Sequence, residues 1–318
     1  MPFELRPLTL GELLDRSFSL YRRHFWLFVG IMALPSLLAL AFGVLVAASN
    51  PQAGGESLGA EPRTAQDVGA AIWFALAMMG MAIVYFVTYA VALGATTSAV
   101  SLIYAERLVS IRGAYAALRG KVGRLAVLLL LVSIRIFGVL FGGLFLIGIV
   151  GALATVASPI IGGLLLFGGM LLVFVLCGWM ALRYAVSVPV AVLEDETPTE
   201  SIRRSIALTQ GSLGRVFALL VFTMIITYAV LAIFQGPFMA IGFTAGPETP
   251  TFFWANMLGT ISGAIGGAFT APLMIVAFAV LYYDLRVRKE GLDLELMLAN
   301  LDRAGGKNPA VSSALLPS

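Results

Sequence analysis

The chain has 318 residues, of which 60% are apolar and 12% charged, with a formal net charge of +3. A soluble domain has about a quarter of its residues charged, so this chain cannot cover itself with polar surface, and a water-soluble fold is excluded. Several apolar runs exceed the ~20 residues that cross a ~30 Å hydrocarbon core, which makes the chain a polytopic membrane protein.

The stretch TLGELLDRSFSLYRRH begins at Thr9. Thr9 and Glu12 have the spacing of a capping box, which satisfies free amides at a helix start. Leu10, Leu13, Leu14, Phe18, Tyr21 and Phe25 then recur on one helical face, with Glu12, Asp15, Arg16, Arg22 and Arg23 opposite. The pattern predicts an interfacial helix with its apolar side toward the acyl chains. A charged stretch before the first long apolar run also predicts a retained anchor rather than a cleaved signal peptide.

Six spans follow, at about residues 25–48, 70–101, 126–154, 158–183, 216–240 and 254–283. The loops 49–69 and 241–253 hold Glu56, Glu61, Asp67 and Glu248 against a single basic residue, Arg63. Every other Lys and Arg lies within a span or on the opposite side, so both termini are expected in the cytoplasm. The basic residues flank spans instead of forming a separate domain, which argues against nucleic acid as a partner.

The opening segment recurs before the fifth span as TPTESIRRSIALTQGS, with Thr197, Glu200, Arg204, Ser205 and Leu208 at matching positions. Thr197 and Glu200 repeat the capping-box spacing, and Pro198 suits a first helical turn. A weaker relative precedes the third span, where GKVGRLAVL at 120–128 parallels GSLGRVFAL at 211–219. The expectation is an all-α fold of three parallel two-helix repeats, at about 8–107, 108–196 and 197–290, each introduced by an amphipathic helix. Beyond 290, a short cytoplasmic helix and a disordered tail are expected over 291–318.

Glycine pairs at Gly142-Gly143, Gly162-Gly163, Gly168-Gly169 and Gly266-Gly267, with Gly138-x-x-x-Gly142 and Gly259-x-x-x-Gly263, permit close helix approach. With Pro35, Pro159, Pro189, Pro237 and Pro272 they read as ordinary packing and kinks, or alternatively as broken helices lining a cavity. Trp26, Tyr104, Trp179, Tyr184, Tyr282 and Tyr283 fall near span ends, as in an aromatic belt.

The segment LRYAVSVPVAVLEDETPTESIRRSIALTQG, with Arg183-Tyr184, Pro189, Leu193-Glu194, Arg204-Ser205, Leu208 and Gly211, resembles bacterial proteins related to the membrane domain of glycerophosphoryl diester phosphodiesterase. The opening LTLGELLDRSFSLYRRHFW looks similar to theirs. The resemblance implies a six-span module at the bacterial inner (plasma) membrane. Some relatives carry it fused to a barrel-shaped catalytic domain. Such a barrel takes about 250 residues, whereas few residues follow the last span here, and His24 is the sole histidine. No enzymatic activity, cofactor or metal is therefore expected.

Among candidate contacts, Arg135 lies eleven residues after Arg124, about 16 Å along a helix. At that depth a charge is costly and calls for an anionic partner such as a lipid phosphate; alternatively 136–156 is the span and Arg135 marks its edge. Arg16, Arg22, Arg23 and Arg204 are further candidates for anionic headgroups. Glu194, Asp195 and Glu196 form an acidic run that reads as a solvated loop, with cation binding the alternative. Asp284 is expected to pair with Arg286, Arg288 or a headgroup. The functional expectation is a non-catalytic module that binds lipid, a partner protein or a second copy of itself. The alternative is a small-molecule transporter or lipid translocase, with Gln235, Asn256, Thr223 and Thr227 along its path.

Overall fold

The computed structural model describes residues 7–48, 65–105, 107–246 and 249–291. These residues form α1 (Leu10–Arg23), α2 (Phe25–Ala48), α3 (Ala65–Tyr104), α4 (Ile111–Ala116), α5 (Val122–Ala157), α6 (Pro159–Tyr184), α7 (Ser187–Leu193), α8 (Pro198–Thr209), α9 (Leu213–Ala245) and α10 (Pro250–Glu290). There is no strand among them. Six helices, α2, α3, α5, α6, α9 and α10, are long and apolar enough to cross a membrane. The tail expected beyond 291, Glu248, and residues 49–64 of the first acidic loop lie outside the described residues.

The capping signals act as physical chemistry requires. Thr9 Oγ1 accepts from the Glu12 amide at 3.3 Å and the Thr9 amide donates to Glu12 Oε2 at 2.7 Å, so two otherwise orphaned donors are satisfied. At α8 only half of this device forms. Thr197 accepts from the Glu200 amide at 3.4 Å, but the Glu200 carboxylate turns to Arg203, accepting from its Nε at 3.1 Å.

α1, α4 and α8 each lead into a long helix and bury corresponding positions. Ser17, Ala114 and Ser205 are small and buried, and four residues on Tyr21, Leu118 and Thr209 are buried too. Four residues further, Phe25, Val122 and Leu213 open the long helices. Phe28, Leu125 and Val216 are then buried, as are Ile31, Leu128 and Leu219. Gly120 and Gly211 both take positive φ, +82° and +77°, a conformation in which any side chain would be strained.

α1 corrects one expectation. Its Leu13, Leu20 and Tyr21 are buried in protein, with α10 as its main neighbour, whereas Leu10 and Phe18 of the same helix stay exposed. The face read as lipid-directed is mostly a packing face, because the second half of α10 offers it an apolar wall.

That half of α10, Thr270 to Val287, is the axis of the core. Around it lie α1, α2, α3 over Ala90–Ile103, α7 and α8. Leu8 and Val287 stand at the same end as α4, α7 and α8, which we call the elbow end. At the far end apolar side chains face outward, with Phe145 71% and Phe243 90% exposed, so those surfaces meet lipid. α5, with 36 residues, is about 54 Å long at 1.5 Å per residue, well beyond the hydrocarbon core.

One glycine of each pair faces a neighbouring helix and the other faces open space. A Cβ on Gly143 would lie 2.7 Å from Val173, and one on Gly169 2.7 Å from Ile147, so α5 and α6 meet closely there, whereas Gly142 and Gly168 are free of contact. Gly266 likewise packs on Phe234 and Gly267 does not. Gly259 approaches Phe238, as its spacing predicted, but Gly138 and Gly142 touch no other helix. Pro35, Pro237 and Pro272 sit within uninterrupted helices, so the packing reading describes them.

Candidate functional site

The last turns of α10 read YYDLRVRKE, and helical spacing sorts their polar groups onto two faces. On one face Arg286 Nε donates to Glu290 Oε2 at 2.9 Å and Arg286 Nη1 to the Tyr282 hydroxyl at 3.3 Å. This face meets the α7–α8 turn. Glu194 Oε1 accepts from the Tyr282 hydroxyl at 2.7 Å, and its Oε2 from Arg204 Nε at 2.9 Å. Arg204 Nη2 also reaches Glu290 at 2.6 Å. Two carboxylates and two guanidiniums thus close a charge-balanced ring beside a buried phenol.

On the other face the Asp284 side chain is fully buried. It accepts from the Leu8 amide at 2.8 Å and pairs with Arg288 at 3.0 Å and Arg215 at 3.2 Å. Arg215 and Arg288 also donate to the Leu8 carbonyl. The N-terminal segment is clamped to α9 and α10 by this one carboxylate. Of the partners expected for Asp284, Arg288 is the one engaged; Arg286 serves the first ring.

A third cluster lies at Asp195, the one non-glycine described residue with positive φ, +58°. Lys121 at 2.8 Å and Arg124 at 3.0 Å hold its carboxylate. The Lys121 hydrogen bond, with the charges of Lys121 and Arg124, keeps its pKa below the usual carboxylate value. The acidic run is therefore not one solvated patch. Glu194 and Asp195 are neighbours in sequence but enter different ion clusters, and among the described residues no three His, Cys, Asp or Glu side chains converge.

Hydroxyls and ammoniums satisfy the free carbonyls at helix C-termini. Ser205 and Thr209 donate to the Arg183 carbonyl at 2.8 and 3.4 Å, and Ser187 to that of Tyr184 at 2.7 Å. Lys289 caps α8 at Ala207 (2.7 Å) and Gln210 (2.6 Å); Lys121 caps α7 at Val192, 3.2 Å away. The Arg183 side chain stands apart: its guanidinium lies 4.5 Å from the Trp179 ring centroid, and its buried Nε has no partner among the described residues.

The structure joins Glu194, Arg204 and Ser205 around the α7–α8 turn, with Pro189 buried in α7. Arg22 and Arg23 are exposed on the last turn of α1. Arg16 lies over the Tyr104 ring at 5.7 Å. Arg135 is exposed on α5 beside the exposed Ile134 and Phe137. Tyr282 is not part of an aromatic belt, being fully buried, and Tyr104 and Tyr283 stack on each other at 4.8 Å. The roles of Tyr282, Arg286 and Glu290 in the ring were missed; their i, i+4 spacing was the available signal.

Two of the cavities among the described residues bear on the candidate residues. One, of about 480 Å³, lies at the far end between α9 and α10, lined by Gln235, Phe238, Phe252, Asn256 and Thr260 among others. Thr223 does not line it; its hydroxyl donates back to Leu219 and Leu220 within α9. The other, of about 240 Å³ and almost wholly apolar, lies at the elbow end among α3, α6, α7, α9 and α10.

Fold and site together define a polytopic, all-α membrane protein whose ion clusters, among the described residues, lie at the elbow end. Residues 159–310 match the family described as the membrane domain of glycerophosphoryl diester phosphodiesterase. The resemblance carried by Arg183-Tyr184, Pro189, Glu194 and Arg204-Ser205 is thereby established over that segment, which corresponds to the membrane domain and not to a catalytic one; the similar-looking N-terminal opening lies outside it. Comparison with curated proteins and with solved structures gave no match.

Proposed function

We propose that the protein is a non-catalytic integral membrane module that holds anionic lipid at a bacterial inner membrane, with its elbow end and both termini in the cytoplasm. One observation carries this reading. At the elbow end the carboxylates of Glu194, Asp195, Asp284 and Glu290 are consumed by internal cations, while Arg22, Arg23, Arg112 and Arg119 are exposed and unpaired with any described residue. Such a surplus of exposed arginine, near Trp26 at 76% exposure, suits a headgroup layer of negative charge. The common burial register of α1, α4 and α8 supports three repeated units divided near residues 107 and 196.

The test is native mass spectrometry of protein released from gentle detergent after exposure to equal phosphatidylglycerol and phosphatidylcholine. Preferential retention of phosphatidylglycerol is expected, and equal retention of both would overturn the reading. A transporter or lipid translocase is the second reading, favoured by Gln235 and Asn256 on the far-end cavity. Protein-dependent flux in sealed vesicles, lost on Gln235→Leu, would promote it.

A further inference from the structure

The far-end cavity differs chemically from the clusters at the elbow end. Gln235 lies 20 residues along α9 from Arg215, and Thr260 lies 24 residues before Asp284 on α10. At 1.5 Å per residue these separations are about 30 and 36 Å, one hydrocarbon thickness from the Arg215–Asp284 pair. The cavity therefore opens at the opposite headgroup layer. Its volume of about 480 Å³ lies within the ~300–1,000 Å³ of sites that hold small molecules.

Glycines shape the cleft between α9 and α10. Cβ atoms on Gly242 and Gly259 would lie 3.8 Å from Phe252 and 3.3 Å from Phe238. At the deep end a Cβ on Gly263 would overlap the Gln235 carboxamide, so the missing side chain is what lets Gln235 lie against α10. That glutamine is half-buried and makes no hydrogen bond to any described residue. The Asn256 amide nitrogen donates to the Phe252 carbonyl at 3.0 Å, and the Thr260 hydroxyl to the Asn256 carbonyl at 2.8 Å. Each bond uses a donor and leaves the side-chain oxygen able to accept. Gln235 adds a carboxamide with both donors and an acceptor.

Among the described residues no charged side chain lines this cavity. A phosphate or carboxylate brings only acceptors and would lose its water without gaining a cation. A hydroxyl both donates and accepts, so an uncharged head with several hydroxyls answers all three polar residues. Phe238 and Phe252 supply apolar walls, and the exposed Met239 and Phe243 carry them out to the surrounding lipid.

We infer that this cavity binds an uncharged, hydroxyl-rich lipid head, a sugar carried on a diacylglycerol. The head lies among Gln235, Asn256 and Thr260, and the chains leave past Met239 and Phe243. The site is independent of the anionic-lipid reading, which concerns the other end of the bundle.

The experiment uses the whole chain in a detergent with an oxyethylene head, so that no detergent sugar competes. Wild type, Gln235→Leu, Asn256→Leu and Gly242→Phe are each exposed to glucosyl dioleoylglycerol, dioleoyl phosphatidylglycerol or dioleoylglycerol. Retained lipid is counted by native mass spectrometry, and thermal midpoints without lipid show which variants are folded. Wild type should retain one glucosyl lipid about tenfold more strongly than Gln235→Leu or Asn256→Leu, as the loss of one or two hydrogen bonds implies. Gly242→Phe should abolish that retention by filling the cavity, while phosphatidylglycerol retention should be the same in all four proteins. Should Gly242→Phe unfold, the two leucine variants decide alone. No retention of glucosyl lipid by wild type, or equal retention by the folded variants, would overturn the site. Dioleoylglycerol bound as tightly would overturn the sugar, and a parallel loss of phosphatidylglycerol from the variants would overturn the uncharged head. Displacement of the lipid by millimolar glucose would give the site to a free sugar and overturn the lipid.

Discussion

Glu194 and Arg204, on either side of the α7–α8 turn, face each other at 2.9 Å with the Tyr282 hydroxyl on the remaining carboxylate oxygen. Glu194 is only 13% exposed at its side chain, so these partners replace water around its carboxylate. Glu194→Gln keeps the shape and removes the charge, leaving Arg204 to Glu290 alone. A loss of about 1–3 kcal/mol is expected, read as a lowered thermal midpoint in detergent. A double-mutant cycle with Glu290→Gln should show non-additivity, and strictly additive losses would dissolve the ring into independent pairs.

Asp284 should be more sensitive. Its carboxylate is fully buried and faces two arginines and the Leu8 amide. Asp284→Ala strands two guanidiniums, so a cost of about 3–5 kcal/mol is expected. Because the same carboxylate ties down Leu8, limited proteolysis should cut near the N-terminus of the variant faster than in wild type. Unchanged cleavage would show that the clamp does not hold the segment.

These two clusters mark what was and was not legible in the sequence. The six spans were visible because apolar run length alone decides whether a helix crosses a bilayer, and the first cap because Thr9 and Glu12 act on each other locally. Glu194 looked solvated because its neighbours Asp195 and Glu196 are acidic; its actual partners include Tyr282 and Arg286, brought near only when α10 packs against α7 and α8. For the same reason the apolar face of α1 was assigned to lipid. A helix pattern records that one face avoids water, without saying whether protein or acyl chains cover it.

The two caps should separate under mutation. Thr9→Ala and Thr197→Ala each remove a side-chain acceptor, at a cost of about 1 kcal/mol. Glu12→Ala also frees the Thr9 amide, whereas Glu200→Ala loses only an exposed pair with Arg203. Thermal midpoints should therefore fall for Glu12→Ala and scarcely move for Glu200→Ala, and equal shifts would contradict the half-formed box at α8.

The glycine pairs permit an internally controlled test. A side chain at Gly169 meets Ile147 across the α5–α6 contact, whereas one at Gly168 meets nothing. Gly169→Val should lower stability by about 1–3 kcal/mol through overpacking. Gly168→Ala should be neutral or slightly stabilising, since alanine restricts the unfolded chain. The comparison is best made by thermal midpoint with a cysteine-crosslinking check of the hairpin, and a reversed order would mean that α5 and α6 pack through other faces.

His24 is the only histidine, so its titration can be followed without assignment ambiguity. It ends α1 with its amide donating to Leu20 at 3.2 Å, and its ring stands edge-on to Phe28 at 6.5 Å. Burial, and secondarily the positive charge of Arg23, lowers its pKa below the ordinary 6.5. Because the folded state holds the proton more weakly, the unfolded chain binds more protons between the two values. Stability should then decline as pH falls below about 6.5 and stop declining once pH passes the folded-state value. An NMR titration of the labelled imidazole should give a midpoint below 6.5 that rises part of the way back in Arg23→Gln, burial being the larger cause. A midpoint at or above 6.5 in wild type would place the ring in solvent and remove it from the α1–α2 corner.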